Sequence, residues 1–344
     1  MSHDLSQVTI AIVGARGLVG QEALAILEEL DVPPRSLRAI GSERSVGETI
    51  AYCDTPIVIE SLEALQIDPP DYVILCADAE TAIKAEGLLR NSKTTIIDNS
   101  SAFRMNPEIP LVIPEVNGAL LDANPRLVAN PNCSTIMLLT ALNPLRSAFG
   151  VRSINVSTYQ AVSGAGRLGL DALHEQTRAA VLSQLIPDGI FPVPCAFDVF
   201  EHESAIDPLT GLNGEESKMI AETRKIWNDS GFSILPTCVR VPVQRAHAQA
   251  VTVELNRTVT VDSVQEVLKM SPGVRLAEPD RPLTPASVSG LDDVHVGRIR
   301  IDPNDARRVL LWICCDQVRK GAALNAIQIL LRLANRSSLY ALQS

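Results

Sequence analysis

Aromatic residues make up only 3% of the chain, so its core must rest on Leu, Ile, Val and Ala. Positive charge is also short: 30 Lys and Arg stand against 40 Asp and Glu, for a formal net charge of -10. That balance argues against a nucleic-acid or anionic-membrane partner. Any anionic small substrate must be held by a local cluster of Arg and Lys working against the overall field. No apolar stretch approaches the ~20 residues needed to span a bilayer. The seven cysteines contain no Cys-x-x-Cys pair, and no metal is expected. Their odd count, with a short polar start and no visible leader, fits a reducing, cytoplasmic setting. Internal repeats and low-complexity segments are absent.

What is present is periodic. Residues 8–13 form a β-branched run, followed by Gly14-Ala15-Arg16-Gly17-Leu18-Val19-Gly20 and a helical pattern through Leu24, Leu27 and Leu30. Strand-like runs recur at 37–40, 57–59, 72–76 and 94–98, with a helical pattern over 80–89. Strands alternating with helices in this way predict a parallel, doubly wound α/β sheet. After Cys133 the strands lengthen, at 153–160, 238–243, 248–255 and 308–313. They are separated by helices and Pro-rich loops, which predicts an α+β domain with a mostly antiparallel sheet of the kind that often forms a dimer face. Cys314-Cys315 reads as part of a buried strand. Residues 322–333 read as a helix that is apolar nearly all round, buried against the first domain.

Cys133 sits in Asn130-Pro131-Asn132-Cys133-Ser134-Thr135, directly before an apolar helical run. The turn places this thiol in or near a first helical turn, where unpaired N–H groups and the helix dipole favour a thiolate. A small buried Cys is the commoner alternative. The loop at Gly14, Gly17 and Gly20 lets backbone approach a pyrophosphate at a helix N-terminus; a tight strand–helix turn is an equal reading. At the tip of the second strand, Ser42-Glu43-Arg44-Ser45 offers a guanidinium flanked by hydroxyls, suited to a 2′-phosphate, with Glu43 facing solvent. His247, on a segment joining two strand-like runs, has the chemistry to deprotonate Cys133 or shuttle protons. Gln160 ends a strand at the small-residue turn Ser163-Gly164-Ala165-Gly166 and offers an amide to a carbonyl. Glu215 and Lys218 share a helix face, as an ordinary surface ion pair would. Arg104 is equally ambiguous.

Taken together, these segments resemble aspartate-β-semialdehyde dehydrogenase nearly end to end. The glycine loop, residues 42–45, 98–104, 114–117, 130–135, 160–166, 215–218, 240–247 and 319–325 carry the resemblance. It implies an N-terminal Rossmann-type NADP-binding domain, residues 1–131, completed by a C-terminal helix, 322–344. Residues 132–321 would form the catalytic and dimerisation domain of a homodimer. By the same resemblance Cys133 is the nucleophile, His247 the acid–base residue, and Gln160 orients the acyl group. Arg240 pairs with the substrate carboxylate; Arg104, Lys218 and Asn132 hold phosphate; Glu215 positions its neighbours. Gly14, Arg16, Gly17, Leu18, Val19, Arg44, Ser45, Ser163, Gly164 and Asn325 contact NADP.

The implied reaction is NADPH-dependent reductive dephosphorylation of L-aspartyl 4-phosphate to L-aspartate 4-semialdehyde and phosphate, through a Cys133 thioester. It belongs to lysine, threonine and methionine biosynthesis. The N–H groups at the start of the Cys133 helix are the expected oxyanion donors. Position 16 is Arg where the family usually has Thr. Position 246 is Ala where it usually has Gly, so a positive φ there would strain the residue before His247. The alternatives are an N-acetyl-γ-glutamyl-phosphate reductase, whose family usually sets its Cys in His-Pro-Gly-Cys, and a non-catalytic dimeric paralogue.

Overall fold

The computed structural model describes residues 5–341. Asn132–Gly321 form one compact unit, and the chain on either side of that segment forms the other.

In the flanking unit, short β-branched runs make a seven-stranded sheet. Its strands are β1 (Ile10–Val13), β2 (Leu37–Ile40), β3 (Thr49–Tyr52), β4 (Thr55–Glu60), β5 (Tyr72–Leu75), β6 (Thr95–Asp98) and β7 (Leu127–Ala129). Their order is β3-β4-β2-β1-β5-β6-β7, parallel throughout except for the β3–β4 hairpin. The helices are α1 (Leu18–Glu29), α2 (Ala64–Ile67), α3 (Ala79–Leu89) and α4 (Pro114–Asn117). β1 and β5 are buried on both faces, which is why they read as continuous apolar runs rather than alternations. The expected doubly wound sheet is therefore present. The expected run at 57–59 is β4, the partner of the edge strand β3; β3 and β7 escaped the sequence reading, being largely exposed or only three residues long.

In the central unit the strands are β8 (Val151–Gln160), β9 (Phe200–Glu201), β10 (Ser233–Arg240), β11 (His247–Leu255), β12 (Val274–Leu276), β13 (Val294–Asp302) and β14 (Asp305–Cys315). Around them lie α5 (Cys133–Phe149), α6 (Gly166–Val181), α7 (Gly214–Trp227), α8 (Val261–Lys269) and α9 (Pro285–Val288). The sheet order is β12-β13-β14-β11-β8-β10-β9; only β12–β13 and β8–β10 are parallel. The mostly antiparallel expectation holds. Two boundaries differ from it. The strand expected over 238–243 is β10, which starts at Ser233 and ends at Arg240, because Pro242 cannot donate to a ladder. Pro236 is tolerated inside β10, since β9 pairs only with Val239 and Arg240. His247, expected on a connecting segment, is the first residue of β11 and pairs with Cys315. Cys314 and Cys315 are fully buried, as the sequence suggested.

After a π-turn over Arg319–Ala323, α10 (Leu324–Ala341) returns to the flanking unit. Residues 342–344 of the expected C-terminal helix lie outside the described residues. Along β1 the side chains alternate: Ile10 and Ile12 pack with Leu24 and Leu27 of α1 and Ile327 and Leu330 of α10. Ala11 and Val13 pack with Ala82, Ala85 and Leu89 of α3 on the other face. Each buried Leu or Ile contributes about 1.5–3 kcal/mol, which offsets the scarcity of aromatic rings. Among the described residues no helix is long and apolar enough to cross a membrane.

Candidate active site

Cys133 is the first residue of α5 and is half-buried. The Asn-Pro-Asn turn before it ends in Asn132, whose Oδ1 accepts the N–H groups of Ser134 (2.9 Å) and Thr135 (3.3 Å). The amide of Asn132 donates to Glu222 Oε2 (2.7 Å) and its Nδ2 to Glu215 Oε1 (2.8 Å). Glu215, Lys218 and Glu222 share one face of α7 at i, i+3 and i+7, and Lys218 Nζ lies 3.5 Å from Glu215 Oε2. The pair read as an ordinary surface one has an acid only 5% exposed. Gln160, at the end of β8, donates to Ser134 Oγ (3.1 Å), and Gln249 of β11 donates to the Ser134 carbonyl (2.9 Å). A Cβ on Gly321 would sit 3.0 Å from Cys133 Cβ, so glycine keeps that side of the thiol open. The expected oxyanion donors are corrected here: two N–H groups of the first turn are already taken by the Asn132 cap.

His247 is fully buried, and its Nδ1 accepts the N–H of Ala161 (3.0 Å). The proton of the neutral ring therefore sits on Nε2, which makes no hydrogen bond among the described residues. Burial, and then the charges of Arg240 and His202, push its pKa well below 6.5. Burial therefore favours the neutral imidazole, with its proton on Nε2. The residue before it, Ala246, has φ 71° and donates its N–H to Gln317 Oε1 (2.8 Å). The left-handed conformation that would strain an alanine is therefore the one adopted, at about 1–2 kcal/mol.

Arg240 ends β10 and is buried. Its Nε and Nη2 grip Glu203 (3.3 and 2.5 Å), Nη1 donates to the Ala161 carbonyl (3.0 Å), and Nη2 donates to His202 Nε2 (3.1 Å). Phe191 lies under the guanidinium, 5.3 Å from its ring centre. Glu203 and His202 follow the short β9 and were missed by the sequence reading, because no spacing ties them to residue 240. A Cβ on Gly164 would lie 2.9 Å from Arg240 Nη1 and 3.5 Å from His247 Nε2. The small-residue turn thus leaves both donors facing one space. Ser163 next to it accepts from Gln317.

The remaining expected residues lie in the flanking unit. Gly14 has φ 78°, and a Cβ there would be 2.5 Å from the Cys76 carbonyl oxygen. A Cβ on Gly20 would be 2.3 Å from the Gly14 carbonyl. Gly17 is the N-cap of α1, which has no side-chain cap and no acid in its first turn; Leu18 and Val19 open the helix. Gly17 lines a cleft of about 810 Å³ together with Arg16, Ser42, Arg44, Ser45 and Lys84, and with the acids Glu43, Glu48, Glu63, Asp78 and Glu80. An uncapped helix start opening on such a cleft fits a dinucleotide pyrophosphate. Arg16 pairs with Glu48; Arg44 and Glu43 are exposed; Ser45 Oγ donates to the Ser42 carbonyl (2.9 Å). Arg104 donates to the carbonyls of Asn130 (2.9 Å) and Asn99 (2.7 Å). Asn325 is fully buried and donates to the Val112 carbonyl (3.0 Å) and Asn130 Oδ1 (2.6 Å), so its side chain braces the fold. Among the described residues no cluster of His, Cys, Asp and Glu fits a metal ion.

With a glycine-cradled helix start on a doubly wound sheet and a thiol opening a helix beside a second sheet, the chain matches one class, the semialdehyde dehydrogenases. Residues 9–123 match the family model "Semialdehyde dehydrogenase, NAD binding domain", and residues 142–320 match "Semialdehyde dehydrogenase, dimerisation domain". Within that class the chain belongs to the aspartate-semialdehyde dehydrogenase family. It is 40% identical over 335 residues to the aspartate-semialdehyde dehydrogenase of Prochlorococcus marinus, covering 96% of this chain and 97% of the relative. It is 38% identical over 337 residues to that of Synechocystis, covering 96% and 98%. The crystal structure of aspartate semialdehyde dehydrogenase II from Vibrio cholerae superposes with a TM-score of 0.91 at 37% identity, over 96% of this chain and 99% of that one. The Vibrio enzyme has also been solved complexed with ASA.

Proposed function

We propose that the protein reduces L-aspartyl 4-phosphate to L-aspartate 4-semialdehyde, with release of phosphate, as a cytoplasmic homodimer in lysine, threonine and methionine biosynthesis. The observation that carries this reading is Cys133 at the start of α5, braced by Gln160, in the unit that also holds Arg240 and His247. The dipole of α5 favours the thiolate. Attack on the acyl carbonyl expels phosphate, which takes its proton from solvent, and leaves a Cys133 thioester. NADPH, when bound, supplies the hydride; Arg44 between Ser42 and Ser45 suits its 2′-phosphate, and the uncapped start of α1 its pyrophosphate. The tetrahedral alkoxide then collapses to the aldehyde and expels the thiolate.

Neither step requires a proton on the carbonyl oxygen. His247 is accordingly assigned as the Nε2–H donor to the oxyanion, in the tautomer that the Ala161 N–H selects. Arg240 anchors the substrate α-carboxylate, while Lys218 and Arg104 hold the phosphate. Gln160 orients the acyl group, and Asn132 with Glu215 holds the start of α5 in place.

The test is phosphate-dependent reduction of NADP with aspartate semialdehyde, wild type against Cys133→Ala. The expected result is activity in the wild type and a loss of at least about 10⁴-fold in the variant. An inactive wild type removes the enzyme reading, and an active Cys133→Ala removes the role of the thiol. Equal use of NAD removes the role given to Arg44.

A further inference from the structure

The proposed reaction needs two groups from separate stretches of chain, the Cys133 thiol and the His247 Nε2–H, to meet one carbonyl carbon and its oxygen. Cys133 opens α5, whereas His247 opens β11, directly after a turn in which Ala246 has φ 71°. A left-handed conformation at a residue other than glycine persists only where its surroundings over-determine it, and such positions gather at functional sites. What holds this turn therefore decides where the His247 ring points.

The turn is gripped from the end of β14. Asp316 is fully buried, and its Oδ2 accepts Arg245 Nε (2.6 Å) and the N–H of Gly290 (2.6 Å). Gln317, the next residue, takes the Ala246 N–H (2.8 Å). The other oxygen of Asp316, Oδ1, accepts the N–H groups of Val318 (3.0 Å) and Arg319 (3.1 Å), and its main-chain carbonyl accepts that of Gly321 (3.0 Å). Gly321 is where a Cβ would lie 3.0 Å from Cys133 Cβ. One side chain thus has an oxygen on each of two arms: Oδ2 on the turn before His247, Oδ1 on the turn that carries the glycine beside Cys133. These bonds all stay within the protein, so Asp316 acts through its neighbours.

We propose that Asp316 is a positioning residue: through Arg245 it holds the turn at 245–246 so that the His247 Nε2–H meets the oxyanion formed on the carbon bound to Cys133. A misplacement of about 1 Å by a residue remote from the chemistry costs roughly 10²-fold in rate. An asparagine at 316 has one acceptor oxygen, so whichever way its amide faces, one arm meets an NH2 group that cannot accept. Removing the Arg245 guanidinium instead releases only the arm that leads to His247.

This inference rests on the proposed function. The test measures kcat and KM for aspartate semialdehyde and NADP in wild type, Asp316→Asn and Arg245→Met, the last also combined with His247→Gln. Asp316→Asn should lower kcat roughly 10- to 100-fold and leave both KM values within about threefold. Arg245→Met should lower kcat at least about threefold, but change it less than about twofold when His247 is already Gln, because the group it positions is then gone. An unchanged kcat in Asp316→Asn overturns the proposal, as does a change confined to KM. So does an Arg245→Met loss that is as large without His247 as with it, which marks damage to the fold rather than to the aim of the ring. If Asp316→Asn does not fold, Arg245→Met decides, since that side chain is 29% exposed: the same comparison with and without His247 supports or overturns the proposal. A wild type inactive with aspartate semialdehyde removes the proposed function itself, whereas the other outcomes leave that function standing.

Discussion

The helices α1 and α5 both begin at a sharp turn after a strand, and each presents unpaired backbone N–H groups at its positive end. They are finished in opposite ways. α1 starts at Gly17 with no side-chain cap and no acid in its first turn, so its N–H groups have no side-chain acceptor at the cap. α5 starts at Asn132, whose Oδ1 takes the N–H groups of Ser134 and Thr135 and whose own N–H groups are held by Glu222 and Glu215. The same backbone feature thus serves two purposes. Glycine leaves a helix start open to a diffusible anion, whereas asparagine closes one and fixes where a covalently attached thiol sits.

Removing the cap of α5 should have the largest effect. Asn132→Ala exposes two amides and takes a donor from buried Glu215, a loss of about 2–3 kcal/mol by chemical denaturation. It should also lower kcat more than it raises KM, because the thiol is displaced; a purely structural cap would leave kcat unchanged.

Acid should then distinguish the two units. His247, His202 and His295 all have folded pKa values below 6.5, burial being the first cause in each. All three lie in the central unit. Below about pH 6.5 the unfolded chain binds the protons that the folded one refuses, so stability present above that pH is lost as the pH falls. Denaturation between pH 5.5 and 7.5 should show this slope, and replacing His247 by Gln should reduce it.

Closing α1 is a smaller change. Gly17 has φ -67°, so Gly17→Ser meets no backbone strain, although its Cβ would lie 3.2 Å from the Gly14 carbonyl. A serine cap should alter stability by only about 0.5 kcal/mol. By taking an N–H meant for the pyrophosphate, it should raise KM for NADP several-fold. An unchanged KM would mean that the start of α1 is not used.

The smallest effect is expected at Ala246. Ala246→Gly relieves about 1–2 kcal/mol of left-handed strain. It also loses a buried methyl worth about 0.8 kcal/mol and adds about 0.5–1 kcal/mol of chain entropy cost. The terms nearly cancel, and urea denaturation should show a net change under about 1 kcal/mol.

The doubly wound sheet was legible because β1, β2, β5 and β6 are mostly buried runs rich in Ile, Val, Leu and Ala, which leave a local signature. β3, β9 and β12 left none, being edge strands of two to four residues whose pairing rests on distant neighbours. At the site, the position of Cys133 at the start of a helix followed from an Asn-Pro-Asn turn beside an apolar run. Glu222 had a signal, seven residues after Glu215 on the same helix face, that was not used. Glu203 and His202 had no such signal, since their bonds to Arg240 span more than 35 residues.

The sequence alone determined which backbones could turn and where: glycine at Gly14, an asparagine cap before Cys133, proline ending β10. These depend on sterics and hydrogen bonds within a few residues, and the letters carry them. Tertiary structure decided the state of each group. It put the His247 proton on Nε2 by aiming the Ala161 N–H at Nδ1, filled the fork of Arg240 with Glu203, and held Ala246 at positive φ. Protonation and pairing depend on what is packed alongside, and in a buried site those neighbours come from strands and helices far apart in the chain.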